Sequence, residues 1–247
     1  MDERALEGRR ILVTGGGTGI GRAVALGAAA EGAAVHVCGR RRDPLVSTVA
    51  EIDALQTGAR HGFYSVDLTV TDGPRRAVEE AVSVLGGLDA ILVNAGFGVK
   101  RMLAEIPESE IDALVAVNLV AAMKTARAAL PHLVKAAATR PGADLVLLAS
   151  FAATTGFAGG SVYGATKWGL RGFGKSLQEE LKPENVRVTI VCPASTDTAF
   201  FEHFTPSLPR EAMLRPEEVA GAILHVLGSR PDVLFEEIVL RPRVVRS

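Results

Sequence analysis

The sequence predicts an α/β fold in which helices cover both faces of a doubly wound parallel sheet of about seven strands. Short β-branched runs alternate with longer segments rich in Ala, Leu, Glu and Arg at helical spacing, as repeated βαβ units do. The strand runs are apolar almost throughout, which is typical of strands buried between two helical layers. No linker rich in Pro, Gly or Ser divides the chain, so we expect residues 1–247 to form a single domain.

The predicted elements follow one another in a regular order. Strands are expected at residues 10–14, 34–38, 61–66, 90–93, 145–149, 187–191 and 235–240. Helices are expected at residues 19–31, 44–56, 72–85, 108–138, 162–181 and 216–227. The last of these opens on Pro216 and Glu217, residue types that favour the first turn of a helix. Each helix is long enough to make a right-handed crossover between parallel strands.

One segment interrupts this alternation. Residues 196–215 follow the sixth strand and contain three phenylalanines and two prolines instead of a periodic pattern. These residues are Phe200, Phe201, Phe204, Pro206 and Pro209. Ligands of doubly wound sheets bind at the carboxyl ends of the strands, where long insertions commonly act as lids. We therefore expect residues 196–215 to form a substrate loop or lid.

The composition excludes several function classes. The 27 Lys and Arg residues nearly balance the 28 Asp and Glu residues, so we expect neither nucleic-acid nor membrane binding. The five histidines are scattered, and Cys38 and Cys192 lie in apolar runs, so no metal site and no disulfide are expected. The first residues carry no apolar signal core and no run of about 18 apolar residues occurs, so we expect a cytoplasmic protein.

A glycine-rich turn joins the first strand to the first helix. It reads Thr14-Gly15-Gly16-Gly17-Thr18-Gly19-Ile20-Gly21. Glycines let the backbone approach a pyrophosphate closely, and the free N–H groups at the start of the helix favour its negative charge. The strand, turn and helix together predict a Rossmann-type nucleotide site, although the glycines do not have the GxGxxG spacing.

Motifs along the chain resemble those of the short-chain dehydrogenase/reductase family. Gly15, Gly19 and Gly21 match its TGxxxGxG motif, Asn94-Ala95-Gly96 its NAG motif, and Tyr163-Gly164-Ala165-Thr166-Lys167 its YxxxK motif. Ser150 lies 13 residues before Tyr163, and Asn118 lies in the helical region after the NAG motif. The motifs occur in the family's order over nearly the whole chain. The resemblance implies an oxidoreductase that uses a nicotinamide dinucleotide.

The resemblance also implies a role for each matching residue. Ser150, Tyr163, Lys167 and Asn118 would be catalytic, with Asn118 holding a water molecule of the proton relay and Lys167 the nicotinamide ribose. Asp67 would meet the adenine amine. The implied cofactor contacts are Gly15, Gly17, Thr18, Gly19, Ile20, Gly21, Arg40, Arg41, Asp67, Leu68, Asn94, Ala95, Gly96, Tyr163, Lys167, Pro193, Thr196 and Thr198.

The end of the second strand favours NADP(H). A carboxylate there accepts a hydrogen bond from the free ribose 2′-hydroxyl but repels a 2′-phosphate. Gly39 stands where NAD-dependent relatives have Asp, and Arg40 stands where NADP-dependent relatives have Arg. A guanidinium can bind a phosphate through two charge-assisted hydrogen bonds, so we expect NADP(H), with NAD(H) as the alternative. Thr18 lacks the second basic group of many NADP-dependent relatives.

A phenol followed by a lysine four residues later suits proton transfer. Carbonyl reduction needs a proton at oxygen, and a phenol with a pKa near 10 is a poor donor at neutral pH. Lys167 lies on the same face of the predicted helix as Tyr163. At about 4 Å its ammonium would lower the pKa of Tyr163 by about three units. Ser150, at the carboxyl end of a strand, would donate to the substrate oxygen.

These observations predict an NADP-dependent enzyme that interconverts a carbonyl and an alcohol on a small substrate. The pocket should be partly apolar, because Phe97, Phe151 and Phe157 flank the motifs. Two alternatives remain, an oxoacyl-thioester reductase of the same family and a dinucleotide-binding regulatory protein without turnover. The tail lacks the GxxxxVDGG ending of oxoacyl reductases and looks more like the branch of hydroxy-acid and aldehyde reductases. Relatives assemble as dimers or tetramers, so a homo-oligomer is expected.

Overall fold

The computed structural model of the protein describes residues 5–202 and 209–243. Its strands are β1 (Arg10–Thr14), β2 (Ala34–Gly39), β3 (Gly62–Ser65), β4 (Ala90–Val93), β5 (Ala143–Leu148), β6 (Val186–Pro193) and β7 (Glu237–Leu240). They form one parallel sheet in the order β3-β2-β1-β4-β5-β6-β7. The predicted doubly wound fold is confirmed, because the strand order reverses between β1 and β4 and helices cover both faces.

The helices are α1 (Gly19–Ala30), α2 (Arg42–Asp53), α3 (Gly73–Leu85), α4 (Glu108–Val115), α5 (Ala122–Ala137), α6 (Ser161–Leu181) and α7 (Pro216–Gly228). Two of the predicted helices need correction. α2 begins at Arg42, so Pro44 lies inside its first turn rather than at its first residue, and the helix ends at Asp53 rather than at residue 56. The helix predicted at 108–138 is interrupted by a π-helical turn, Ala116–Ala121, which joins α4 to α5.

Successive side chains of the central strands face different helical layers. On β1, Ile11 and Val13 pack with α1, α2 and α7, whereas Leu12 packs with α3, α5 and α6. All three side chains are fully buried, which explains why the strand is apolar on both faces. Burial of each such side chain contributes about 1.5–3 kcal/mol. The two layers therefore fix the positions of the strand ends on which the site is built.

The helical stretch Glu108–Ala137 is long and apolar enough, by length and composition, to cross a membrane. Core helices of globular proteins meet the same criteria. In the structure, its Ala126, Ala129 and Leu133 side chains are fully buried and pack against α3 and the sheet. This stretch therefore packs as a core helix.

At the amino end of the sheet, two buried carboxylates are paired with arginines. Asp89 directly precedes β4, and its Oδ1 lies 2.6 Å from Arg10 Nη2 and 3.2 Å from Arg140 Nε. Asp144 of β5 has its Oδ1 2.8 Å from Arg187 Nε. Burial alone would raise the pKa of Asp89, but the hydrogen bonds from Arg10 outweigh it and hold the pKa below its usual value. The amino end is thus held together by charge, opposite the end that carries the site.

Candidate active site

A cavity of about 1040 Å³ opens at the carboxyl ends of the central strands. Its wall contains residues that directly follow β1, β2, β4, β5 and β6, together with Tyr163 and Lys167 of α6. Ligands of doubly wound sheets bind in the crevice where the strand order reverses, and this cavity lies there. We therefore take it as the candidate active site.

The glycine turn after β1 forms one end of the cavity. Gly15 has a φ of +67°, a backbone conformation that residues with a side chain rarely adopt. A Cβ atom on Gly15 would lie 2.7 Å from Asn94 Nδ2, and one on Gly21 would lie 2.5 Å from the Gly15 carbonyl oxygen. Any other residue type at either position would displace the turn. The turn therefore leaves its backbone free to approach a ligand.

Asn94 and Thr14 tie this turn to the end of β4. The backbone N–H groups of Asn94 and Ala95 donate to Thr14 Oγ1 at 2.9 and 3.0 Å. Asn94 Nδ2 donates to the carbonyl oxygens of Thr14 at 2.7 Å and of Gly15 at 3.2 Å. These four hydrogen bonds span the switch between β1 and β4, so they fix the two strand ends that flank the crevice.

The amino end of α1 faces the cavity. Thr18 precedes this helix, and its side chain makes no hydrogen bond to the first turn. Thr18, Gly19 and Ile20 all line the cavity. Backbone N–H groups at an uncapped helix start bind anions such as a pyrophosphate. Together with the glycine turn, this end of the cavity fits the pyrophosphate of a dinucleotide.

The tip of β2 presents two arginines to the same cavity. Arg40 and Arg41 both line it, and within residues 5–202 and 209–243 neither guanidinium forms a salt bridge. Asp67, which was predicted to meet the adenine amine, does not line the cavity and accepts hydrogen bonds from Thr69 N and Oγ1 at 2.8 and 2.7 Å. Those hydrogen bonds hold the pKa of Asp67 below its usual value. The tip therefore offers positive charge to a bound anion.

Ser150, Tyr163 and Lys167 come together at the far side of the cavity. The Ser150 hydroxyl is hydrogen-bonded to the Tyr163 phenol and accepts from Ala152 N at 3.1 Å. Lys167 lies one helical turn after Tyr163, with its Nζ 6.0 Å from the centroid of the phenol ring. Lys167 Nζ donates to the Leu148 carbonyl oxygen at 3.0 Å. All three residues line the cavity, so two hydroxyls and one ammonium can meet a single ligand.

Burial decides the protonation of these groups. It raises the pKa of the Tyr163 phenol to about 12, and the hydrogen bond to Ser150 offsets only part of this rise. Burial lowers the pKa of the Lys167 amine to about 8. The prediction that Lys167 brings the pKa of Tyr163 toward neutrality is wrong for this structure. The amine loses its proton near pH 8, so it is already neutral at the pH where the phenol titrates, and the loss of water around the phenol dominates.

Asn118 lies in the π-helical turn and does not line the cavity. Its Oδ1 accepts from Phe97 N at 3.0 Å, and its Nδ2 donates to the Phe97 carbonyl oxygen at 2.8 Å. The same Nδ2 lies 3.3 Å from Thr166 Oγ1 on α6. The side-chain amide therefore holds the loop after β4 in place beside α6. A role in holding a water molecule stays a prediction.

Aromatic side chains form much of the wall beside Tyr163. Phe97, Phe151, Phe157 and Phe200 line the cavity. The centroids of the Phe200 and Tyr163 rings are 5.7 Å apart, with the rings inclined at 59°. Phe204 and the side chain of Phe201 lie outside the described part of the chain. Walls of this kind suit an apolar ligand with a few polar groups.

The family model described as short chain dehydrogenase matches residues 9–208. The chain belongs to this family. It is 33% identical over 209 residues to a 3-dehydrosphinganine reductase of Arabidopsis thaliana, and the match covers 85% of this chain and 59% of the relative. This short-chain dehydrogenase is therefore an oxidoreductase.

Solved structures support the same family. An alcohol dehydrogenase from the archaeon Thermococcus sibiricus, complexed with 5-hydroxy-NADP, is 27% identical with a TM-score of 0.86, over 97% of this chain and 99% of that one. A 3-ketoacyl-(acyl-carrier-protein) reductase from Brucella melitensis, complexed with NADH, is 26% identical with a TM-score of 0.87, over 95% and 97% of the two chains. These likenesses support a nicotinamide dinucleotide as the cofactor of this short-chain dehydrogenase.

The cavity of this short-chain dehydrogenase brings most of the predicted site residues together. Those that line it are Gly15, Thr18, Gly19, Ile20, Arg40, Arg41, Asn94, Ala95, Gly96, Ser150, Tyr163, Lys167, Pro193, Thr196 and Thr198. Those that do not are Gly17, Gly21, Asp67, Leu68 and Asn118. Of the second group, Gly21 shapes the turn, Leu68 belongs to the core and Asn118 holds a loop.

Two positions of the site could not be identified from the sequence. Thr14 accepts two backbone hydrogen bonds from the end of β4, and its only signal is that it opens the glycine motif. Gly98 lines the cavity opposite Phe200, and its only signal is a second glycine two residues after the NAG motif. Both roles depend on contacts between segments that are distant in the chain.

Proposed function

We propose that this short-chain dehydrogenase is an NADP(H)-dependent enzyme that interconverts a carbonyl and a primary or secondary alcohol on a small, partly apolar substrate. The observation that carries the proposal is the pair of hydrogen-bonded hydroxyls, Ser150 and Tyr163, on the wall of one cavity with Lys167. The names of the relatives, an alcohol dehydrogenase and two ketone reductases among them, support this reaction class.

In this proposal, the Ser150 and Tyr163 hydroxyls bind the carbonyl oxygen of the substrate. A nicotinamide dinucleotide bound in this cavity would supply the hydride for the carbonyl carbon. Tyr163 Oη gives its proton to the oxygen, which becomes the alcohol hydroxyl. A phenol whose pKa is about 12 holds its proton near neutral pH, but it is a weak acid, so the transfer needs a group that stabilises the phenolate left behind. In the oxidation direction the same oxygen receives the proton back.

Lys167 opposes the negative charge that remains on the phenol after proton transfer. With a pKa of about 8, its amine is mostly protonated at pH 7. Because both groups are buried, a cation close to the phenol ring acts with little screening by water. We expect its contribution to grow as charge develops on Tyr163 Oη.

Arg40 and Arg41 support the preference for NADP(H). Both side chains line the cavity, and Gly39 places no carboxylate at the end of β2 to accept from a free ribose hydroxyl. Neither guanidinium forms a salt bridge with another described residue, and such groups can bind a 2′-phosphate through charge-assisted hydrogen bonds. The alternative, an oxoacyl-thioester reductase, shares the same proton donor and is supported by the name of the Brucella relative.

The proposal is tested first by Tyr163→Phe, which removes only the hydroxyl. We expect NADPH-dependent carbonyl reduction to fall by about 10²–10⁴-fold, because the proton donor is lost. NADPH affinity, measured by fluorescence titration, should change little. Tyr64→Phe is the matched control, since Tyr64 lies on β3, contacts Arg76 and does not line the cavity. Unchanged turnover in Tyr163→Phe would exclude the phenol as the donor.

The cofactor preference is tested by Arg40→Asp. We expect the ratio of kcat/KM for NADPH to that for NADH to fall at least about tenfold, because a phosphate contact becomes a repulsion. Arg42→Asp makes the same change of charge on a neighbour that stacks on Phe63 and does not line the cavity. An equal shift in both variants would point to general electrostatics and would contradict a direct contact between Arg40 and the phosphate.

A further inference from the structure

We propose that Gly98 and Phe200 form a specificity-determining pair that sets the size of substrate admitted beside Tyr163. The proposal rests on the proposed carbonyl reduction. Gly98 lies in the loop after β4, and Phe200 lies in the segment that follows β6. Both residues line the cavity, and neither belongs to the proton-transfer group.

The Phe200 ring occupies the space that a side chain at position 98 would need. A Cβ atom on Gly98 would lie 2.2 Å from Phe200 Cζ and 2.8 Å from Cε1. Carbon atoms do not approach so closely, so even alanine at this position would force the ring to move. The Phe200 ring therefore occupies the space that is open because Gly98 has no side chain.

In this position, Phe200 lies next to Tyr163, the proposed proton donor. Its ring centroid is 5.7 Å from that of Tyr163, and it packs on the cluster formed by Leu114, Ala152 and Tyr163. A substrate carbonyl that reaches the Tyr163 hydroxyl must therefore place its other atoms against this ring. The position of the ring limits how wide those atoms can be.

The segment that carries Phe200 is held at a second point. Thr198 Cγ2 would lie 3.1 Å from a Cβ atom on Gly19, in the turn at the amino end of α1. Phe200 N donates to Thr198 Oγ1 at 3.3 Å. The segment from Thr198 to Phe200 thus packs against two glycines of different loops. Gly19 lies at the nucleotide end of the cavity, and Gly98 lies beside Tyr163. We infer that the position of the Phe200 ring is fixed by the packing of these loops and not by the conformation of its own side chain alone.

The test uses Gly98→Ala, Phe200→Ala and the double variant, with Gly156→Ala as the matched control. Gly156 lies on the same rim between two cavity residues, and a Cβ atom there would meet nothing within 4 Å. Each protein is assayed with NADPH against a small aliphatic ketone and a bulky aryl ketone. NADPH affinity and the melting temperature are measured in parallel.

We expect Gly98→Ala to raise KM for the small ketone about tenfold while kcat changes much less, because displacing the ring removes apolar contact. The bulky ketone should gain relative to the small one. In the Phe200→Ala background, Gly98→Ala should change neither KM nor the melting temperature further, since the ring that it displaces is gone. Gly156→Ala should match the wild type throughout.

Additive effects of the two substitutions, or a preference for ketone size that Gly98→Ala leaves unaltered, would overturn the proposal. A wild type that reduces neither ketones nor aldehydes with NADPH would refute the proposed function, and the specificity role would fall with it. In that case the melting temperatures of the wild type, the two single variants and the double variant still show whether the Phe200 ring packs against Gly98. Retained ketone reduction without coupling between the two positions would refute the pair alone.

Discussion

Lys167 carries a charge whose presence depends on pH because the side chain is buried. The residue is 5% exposed, and burial lowers the pKa of its amine to about 8. The Leu148 carbonyl gives the ammonium one hydrogen bond. An exposed lysine would keep its proton to about pH 10. Burial therefore places the loss of this charge within the range in which an enzyme can be assayed.

We expect the rate of carbonyl reduction to fall as the pH rises through about 8. Below this value Lys167 is protonated and opposes the negative charge left on Tyr163, and above it the amine is neutral. The phenol itself, with a pKa of about 12, stays protonated over the same range. The measurement is the pH profile of kcat/KM at saturating NADPH, with circular dichroism at each pH as the control for folding. A profile that stays flat to pH 10 would contradict this role.

The identity of the reacting residues could be predicted from the order of the motifs, but their pKa values could not. The spacing of Tyr163 and Lys167 shows that both lie on one face of a helix. It does not show that the phenol is almost without water or that a carbonyl oxygen engages the amine. Those facts depend on residues from other elements, and they reverse the direction of the expected shift for Tyr163.

The π-helical turn between α4 and α5 carries a structural hydrogen-bonding group. Asn118 projects from this turn and makes two hydrogen bonds with the backbone of Phe97. Phe97 and Gly98 line the cavity. An irregular turn in a long helix thus supports the loop that forms one wall of the site, which agrees with the tendency of such turns to occur near functional sites.

Asn118→Ala should destabilise the protein by about 1–3 kcal/mol, because the half-buried N–H and carbonyl of Phe97 lose their partner. Unfolding in urea measures this loss. We also expect kcat/KM to fall in Asn118→Ala, since the wall formed by Phe97 loosens. Full activity with unchanged stability would contradict the positioning role.

The strands and most helices could be predicted because apolar runs and helical periodicity are local properties. The π-helical turn could not, because residues 108–138 keep a helical pattern of apolar residues through it. The contact between Gly98 and Phe200 could not be predicted either. It joins two loops whose conformations are set by packing rather than by periodicity.

At the scale of the whole molecule, the carboxyl end of the sheet carries the candidate active site, and the amino end is held together by ion pairs. Asp89→Asn should cost about 1.5–3 kcal/mol of stability at neutral pH, because Arg10 and Arg140, which are themselves partly exposed, would lose a buried charged partner. Asp72→Asn is the control, since its pair with Arg75 is exposed to water and should contribute little to stability. Chemical denaturation measures both.

The same substitution should have a pH-dependent effect. The pKa of Asp89 is lowered in the folded state, so its contribution is fully present above the ordinary aspartate pKa of about 4. It is lost as the pH falls through the lower, folded-state value. The stability difference between the wild type and Asp89→Asn should therefore shrink in strong acid. A difference that persists unchanged at pH 2 would contradict the assignment.

The sheet places the arginine tip of β2 three strand spacings from the end of β5, or about 14 Å at roughly 4.8 Å per strand. Arg40 and Arg41 therefore have no direct access to the bond-making atoms at Ser150. A change of preference from one dinucleotide to the other should therefore need only a few substitutions at the rim formed by Arg40 and Arg41. A designer could exchange that rim while the oxygen-binding pair at the opposite side continues to work as before.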